Sequence, residues 1–117
     1  AFTGVLSPLT MGSDQDKMKA EGARVVLING SSSPDLAERT AQFLRNQGLN
    51  VVNVQNSSPQ IANTTVTDYA GKPFALKYLV STLRISQYRI FSKIQSGPSV
   101  DVEVILGEDW AKNNNLP

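Results

Sequence analysis

The chain has 117 residues, 40% of them hydrophobic and 18% charged, which fits one folded globular domain and excludes a disordered segment. Its formal net charge of +1 excludes an overall electrostatic attraction to nucleic acid or to an anionic membrane. Cysteine and histidine are both absent, so disulfides, thiolate chemistry and the usual general base are excluded as well. A metal site would need oxygen ligands alone, and we expect neither a metal nor a cofactor.

Residues 1–23 differ in composition from the rest of the chain. Glycine and proline interrupt any periodicity at the start, and residues 14–21 are charged and polar, which predicts a linker or a loosely attached N-terminal arm. The chain opens with Ala1 and has no apolar run near the roughly 18 residues of a membrane span, so we expect any targeting and anchoring segments to lie outside it. Apolar side chains of the arm could dock on the domain or on a neighbouring molecule: Phe2, Val5, Leu6, Leu9 and Met11.

The first half of the predicted domain contains a strand and a helix. The apolar run over residues 25–28 predicts a central strand. Apolar residues at helical spacing predict a helix over residues 34–47 with one core-facing stripe. Ser32 or Ser33 is the predicted N-cap, and Gly48 supplies the left-handed position after the helix.

The second half alternates between strands and one more helix. Residues rich in valine and threonine predict strands over 50–54 and 64–69. Pro73 begins a second helix, whose apolar residues recur three, four and seven positions apart. Residues 88–94 are a further strand candidate, and the alternation over residues 100–106 is typical of a strand with one buried face.

Taken in order, these elements predict an α+β fold. We expect a two-layer α/β sandwich of βαββαβ ferredoxin-like topology, or a variant with one extra strand, with both helices on one face of the sheet. The domain would span residues 24–110, with residues 1–23 as linker or arm and residues 111–117 as a tail. The predicted core consists of strand residues 25–28, 66 and 100–106 and helix residues 36, 43, 44, 76, 79, 80 and 83.

The most informative stretch is the loop between the first strand and the first helix, Asn29-Gly30-Ser31-Ser32-Ser33. Its hydroxyls and free backbone N–H groups lie where the helix dipole is positive, so it is a candidate site for a phosphate, a sugar or a carboxylate. We favour the simpler interpretation, in which Asn29 and Gly30 form a turn and the serines cap the helix. Neither a P-loop nor a dinucleotide-binding fingerprint is present.

Carboxylates and a tryptophan follow one another near the C-terminus. Paired carboxylates can hold Ca²⁺ or catalyse glycoside hydrolysis. Asp101 and Glu103 share one strand face, however, so we interpret them as a solvated sheet face, and Glu108 with Asp109 as an acidic turn. Trp110 is a candidate glycan platform, although a tryptophan here more often packs across the end of the sheet and fixes the tail.

Bases and aromatic residues are interleaved in the second half of the chain. An exposed sheet face with such residues can bind RNA or stack on sugars, but no RNP1-like motif is present, so we expect no nucleic acid. The residues concerned are Lys72, Lys77, Arg84, Arg89 and Lys93 with Tyr78, Tyr88 and Phe91.

Two segments together resemble a known family. Residues 26–31 read Val-Leu-Ile-Asn-Gly-Ser and are followed by Pro-Asp-Leu-Ala, and residues 100–110 end in Leu-Gly-Glu-Asp-Trp. This pattern is similar to the LytR C-terminal domain, the accessory module found after the catalytic LytR–CpsA–Psr domain of bacterial cell-envelope proteins. The resemblance covers about residues 24–110, and Ser32 and Asp35 stand where the family usually carries glycine.

The resemblance implies an extracytoplasmic, non-catalytic accessory domain, membrane-tethered through a segment outside this chain. It would bind a cell-wall glycopolymer, such as peptidoglycan or a teichoic-acid-type polymer, or a protein partner, including the preceding catalytic domain. One alternative is a protein–protein or oligomerisation module that adds its N-terminal arm to a sheet edge. An RNA-binding ferredoxin-like domain is favoured less, and an enzyme least, because the serines have no obvious base.

Overall fold

The computed structural model describes residues 14–56, 59–114 and 116. Four helices and five strands form within them, together with a 3₁₀ turn over Gln87–Arg89. The helices are α1 (Asp14–Glu21), α2 (Leu36–Asn46), α3 (Pro73–Leu83) and α4 (Glu108–Asn113), and the strands are β1 (Arg24–Asn29), β2 (Asn50–Gln55), β3 (Thr65–Asp68), β4 (Ile90–Ser92) and β5 (Val102–Leu106).

The strands form one mixed sheet in the order β2-β1-β5-β3-β4. Two βαβ units build it: β1 pairs with β2 in parallel, and so does β3 with β4. The last strand, β5, lies between the units, parallel to β1 and antiparallel to β3. The α+β class is therefore confirmed, and the element order is βαββαβ with an extra strand. The parallel partners are direct neighbours here, whereas a ferredoxin-like sheet splits each βαβ unit with another strand.

The core lies along the buried face of the central strands. Val25 and Leu27 of β1 are fully buried, and so are Val102, Val104 and Leu106 of β5, which confirms the alternation predicted for that strand. Because β5 is the central strand and is paired on both sides, these buried residues lie in the middle of the sheet. The helices add the following buried residues to this core: Leu36, Ala37, Ala41, Leu44, Ala75, Leu79 and Leu83.

Residues 14–21 correct the expectation of a loosely attached arm. They form α1, whose Met18 is 2% exposed within the core. The carboxylate of Glu21 accepts hydrogen bonds from the backbone N–H groups of Phe74 and Ala75 at 3.1 and 2.9 Å, in the first turn of α3. The apolar residues at positions 2–11 that were expected to dock lie outside the described residues. The predicted domain boundary at residue 24 stays a prediction.

The start of α2 also differs from the prediction. The helix begins at Leu36, and neither Ser32 nor Ser33 caps it: Asp35 is the N-cap residue and makes no side-chain capping bond. The serines are instead engaged within the loop and with α4. At the other end, Gly48 has a φ of +99°, which confirms its predicted left-handed position.

Asp101 does not lie on a solvated face. It is 6% exposed just before β5, where its carboxylate accepts hydrogen bonds from the backbone N–H of Arg24 at 2.8 Å and from its guanidinium at 3.0 Å. These bonds hold the pKa of Asp101 below its ordinary value. Within the described part of the chain, no helix is long and apolar enough to cross a membrane.

Candidate functional site

The predicted loop lies at the carboxyl ends of two parallel neighbours, β1 and β5. The N–H of Gly30 donates to the carbonyl of Leu106 at 2.8 Å, and its carbonyl accepts from Ile61 N–H at 2.8 Å. The carbonyl of Ile61 in turn accepts from the N–H of Glu108 at 3.0 Å. Three segments, each following a different strand, therefore meet at one end of the sheet, which is where ligands bind in open sheets of this kind.

The glycines at this junction are required by close packing. A Cβ at Gly30 would lie 2.9 Å from both the side chain of Ile105 and the carbonyl of Leu106. A Cβ at Gly107 would lie 2.6 Å from the backbone of Asn63. Both glycines belong to the segments that carry the family resemblance, and their role here is to let backbone approach backbone.

The side chain of Asn29 organises the loop from within. Asn29 is 5% exposed; its oxygen accepts from the N–H and the hydroxyl of Ser31 at 3.0 and 2.7 Å, and its amide donates to the carbonyl of Ser33 at 2.7 Å. The predicted turn is thus present, while the predicted capping by serine is wrong. The side chains of Asn29 and Ser31 are thus paired with each other and with the backbone of Ser33, whose own hydroxyl donates to Asp35 at 3.4 Å.

An internal carboxylate occupies the remaining donors of the loop. The N–H of Ser32 donates to both oxygens of Glu108 at 3.1 and 3.2 Å, and its hydroxyl donates to one of them at 3.1 Å. An external anion at this loop would have to displace Glu108, the first residue of α4. Binding by Asn29–Ser33 stays a prediction, and the free donors on which it rested are already paired.

Trp110 is a core residue. It is 4% exposed, and its indole N–H donates to the hydroxyl of Thr40 on α2 at 2.9 Å. The ring has no open face on which a sugar could stack, so the structure supports the packing interpretation and not the glycan platform. The bond fixes α4 against α2.

The four C-terminal carboxylates do not form a cluster. Asp101 pairs with Arg24, Glu103 accepts from the hydroxyl of Tyr69 at 3.0 Å, and Glu108 contacts Ser32. Asp109 accepts from the N–H and the hydroxyl of Thr64 at 3.0 and 2.7 Å. In the described ranges, no group of three or more acidic side chains could hold a metal ion.

A second surface contains bases and an exposed aromatic ring. It is a groove of about 360 Å³ between the end of α3, the 3₁₀ turn and the segment before β3. We call it the Tyr88 groove. Its lining residues are Asn63, Thr64, Arg84, Ser86, Tyr88, Arg89 and Asp109.

Local structure turns Tyr88 outward. Arg84 ends α3 with left-handed φ and ψ of 55° and 50°, a conformation that costs a residue other than glycine about 1–2 kcal/mol. The chain then enters the 3₁₀ turn, where the hydroxyl of Ser86 accepts from Tyr88 N–H at 3.3 Å and its carbonyl from Arg89 N–H at 2.8 Å. The Tyr88 side chain is left 80% exposed.

The groove is positively charged and rich in donors. Within the described part of the chain, the exposed guanidinium groups of Arg84 and Arg89 form no ion pair with a carboxylate. The only acidic residue of the groove, Asp109, is held by hydrogen bonds from Thr64 and from the Trp110 N–H.

Part of this surface was indicated by the sequence. Arg84, Tyr88 and Arg89 all belong to the interleaved bases and aromatic residues, but the order along the chain could not show which of them meet in space. The structure separates Lys77 and Tyr78 from them, in another groove with Phe74 of α3. The sequence did not mark Asn63 and Thr64 as part of this surface, because only the fold brings the segment before β3 to the groove.

Comparison with known proteins identifies one family. The sequence model described as LytR cell envelope-related transcriptional attenuator matches residues 22–110, which is most of the chain. No curated protein and no solved structure matches the chain significantly. The family resemblance inferred from the segments around residues 26–37 and 100–110 is confirmed. Both the Asn29–Ser33 loop and the Tyr88 groove lie within the matched residues.

Proposed function

The chain belongs to the LytR C-terminal domain family of bacterial cell-envelope proteins, and from this premise we propose that it binds a cell-wall glycopolymer through the Tyr88 groove. The family is one of accessory domains and is not itself catalytic. The domain would hold polymer while a separate catalytic domain acts on it.

The exposed ring of Tyr88 is the observation that carries this proposal. A tyrosine that is 80% exposed beside a polar groove offers an apolar face to a sugar and a hydroxyl at its edge. Asn63 and Ser86 lie in the same groove and can hydrogen-bond to sugar hydroxyls. The Asn29–Ser33 loop supports binding less well, because Glu108 already engages Ser32.

Substitution of Tyr88 tests the proposal. Tyr88→Ala removes the ring and leaves the fold intact, since the side chain is exposed and its backbone N–H keeps its bond to Ser86. We expect retention on purified cell-wall sacculi to fall by about twofold to tenfold, as loss of one aromatic contact of about 0.5–1.5 kcal/mol would produce.

Val52→Ala is the matched control. Val52 is 46% exposed on β2, a strand at the other edge of the sheet from β4, so its loss should leave retention unchanged. Equal retention of the wild-type chain, Tyr88→Ala and Val52→Ala would contradict the role of the groove.

We further propose that the domain lies outside the cytoplasm and is tethered to the membrane through a segment beyond this chain, beside a LytR–CpsA–Psr catalytic domain. Protease added to intact cells should then digest the domain in the full-length protein, while a cytoplasmic marker survives. Protection of both until lysis would contradict this location.

A protein–protein or oligomerisation module is the second candidate. The edge strands β2 and β4 are each paired on one side only, so either could accept a strand from a partner. The β2 edge is partly covered, because the guanidinium of Arg45 donates to the carbonyl of Val51 at 2.9 Å. Light scattering on the chain with and without residues 1–13 tests this candidate while retaining α1, and a monomer in both cases would exclude it.

A further inference from the structure

We propose that the Tyr88 groove is specific for a phosphodiester-containing, anionic glycopolymer, with Arg84 and Arg89 binding phosphate while Tyr88 stacks on the adjoining sugar. The inference rests on the glycopolymer function proposed above and adds the chemical class of the ligand. It predicts that the groove discriminates against neutral glycans.

The backbone of Arg84 is the first argument. Arg84 is the single non-glycine residue with positive φ in the described part of the chain; the others are Gly22, Gly48, Gly71 and Gly97. Gly48 offers a comparison, because it also has a positive φ, of +99°, just after the end of α2. Glycine would adopt the Arg84 conformation without strain, so the arginine is accounted for by its side chain and not by its backbone.

The charge balance of the groove is the second argument. Two arginines and one carboxylate line the groove, and that carboxylate already accepts hydrogen bonds from Thr64 and Trp110. The oxygen of Ser86 accepts from Tyr88 N–H, which leaves the hydroxyl hydrogen available as a donor. An anionic ligand satisfies such a set of donors, whereas a neutral sugar leaves both positive charges unpaired.

The types of residue are the third argument. Arginine presents a planar fork of donors that matches two oxygens of a phosphate group, and an exposed tyrosine ring matches the face of a sugar. A polymer that alternates sugar or polyol units with phosphodiesters would present both groups within one groove of about 360 Å³.

The test measures binding of the 117-residue chain to a soluble, glucosylated poly(glycerol phosphate) and to neutral dextran by titration at low ionic strength. Arg84→Gln and Arg89→Gln should each raise the Kd for poly(glycerol phosphate) by about threefold to tenfold and flatten its salt dependence. Arg39→Gln, which removes an exposed charge from α2, is the matched control. It should change neither the Kd nor its dependence on salt. The proposal is overturned if Arg84→Gln and Arg89→Gln leave the Kd unchanged, or if dextran binds as tightly as the phosphate polymer.

Arg84→Gly separates binding from folding. Because glycine adopts the left-handed conformation freely, we expect this variant to keep the wild-type Tm or to exceed it while its Kd rises as in Arg84→Gln. Wild-type affinity in a folded Arg84→Gly variant would show that the side chain does not bind the polymer and would overturn the proposal.

Cell-wall sacculi before and after hydrofluoric acid, which cleaves phosphodiesters, distinguish this inference from the broader function. Loss of retention after treatment supports both the phosphodiester specificity and the broader proposal of glycopolymer binding. Undiminished retention on treated sacculi overturns the phosphodiester specificity and leaves glycopolymer binding standing, and no retention on either overturns both. Vesicles of anionic phospholipid form a last arm: Arg84-dependent binding to them without binding to the polymer would identify a membrane ligand and overturn the proposal.

Discussion

At the scale of single residues, buried polar groups hold the ends of the sheet in place. Asn29 organises the loop after β1, Thr40 accepts the indole N–H of Trp110, and Asp101 binds Arg24 at the start of β1. Each buried group has a partner, as the cost of an unpaired buried polar group requires. Hydrophobic patterning cannot predict the pairs made by Thr40 and Asp101, because their members lie 70 and 77 residues apart in the chain.

Asp101→Asn should destabilise the fold in a pH-dependent way. The neutral amide cannot form an ion pair with the guanidinium of Arg24, so we expect a loss of about 1–2 kcal/mol in the free energy of unfolding at pH 7. The pKa of Asp101 is lowered in the folded state, so its contribution is complete above the ordinary carboxyl pKa and disappears as the pH falls through the folded-state value.

Urea denaturation at pH 7 and at pH 3 or below measures this effect. The difference between wild type and Asp101→Asn should narrow on acidification, while Glu38→Gln, an exposed change on α2, should stay within about 0.5 kcal/mol throughout. A gap between wild type and Asp101→Asn that does not depend on pH would mean that the carboxylate charge contributes nothing.

At the scale of elements, helix α1 was the main failure of prediction from sequence. Its eight residues include one large apolar side chain, Met18, so they show no amphipathic stripe and resemble a polar linker. The helix is held by that buried residue, by Glu21, which accepts from the N–H groups of Phe74 and Ala75, and by the amide of Gln15, which donates to the carbonyl of Gln47 at 2.6 Å. These hydrogen bonds depend on where α3 and the end of α2 lie, which a local pattern does not contain.

Met18→Ala tests whether α1 is part of the folded domain. Met18 is 2% exposed, so truncation should lower the free energy of unfolding by about 2–5 kcal/mol. Ala20→Gln, an exposed position on the same helix, should have an effect of less than about 0.5 kcal/mol. Chemical denaturation that gives equal midpoints for these two variants would restore the view of a loosely attached arm.

At the scale of the whole molecule, the sequence predicted the element types well and their spatial order incompletely. The alternation over residues 100–106 correctly indicated a strand with one buried face, and Gly48 and Pro73 marked the end of α2 and the start of α3. The central place of β5 was not predictable, because strand pairing depends on contacts between distant segments. The Tyr88 groove was missed as a unit for the same reason.

The position of β5 makes a prediction about cooperativity. It is the only strand that joins the β1–α2–β2 unit to the β3–α3–β4 unit within the described sheet. Val104 lies at its centre, is fully buried, and pairs with Leu27 on one side and Val66 on the other. Loss of packing at Val104 should therefore weaken both units together.

Val104→Ala should lower the free energy of unfolding by roughly 2 kcal/mol while keeping one transition. Far-UV circular dichroism reports the helices of both units, and the fluorescence of Trp110, the single tryptophan, reports the contact of α4 with α2. We expect the two signals to shift to the same lower midpoint in urea, because a shared central strand couples the units into one cooperative structure. Val52→Ala on the exposed edge strand should shift the midpoint of neither signal. Separate midpoints for the two signals in Val104→Ala would show that the βαβ units unfold independently.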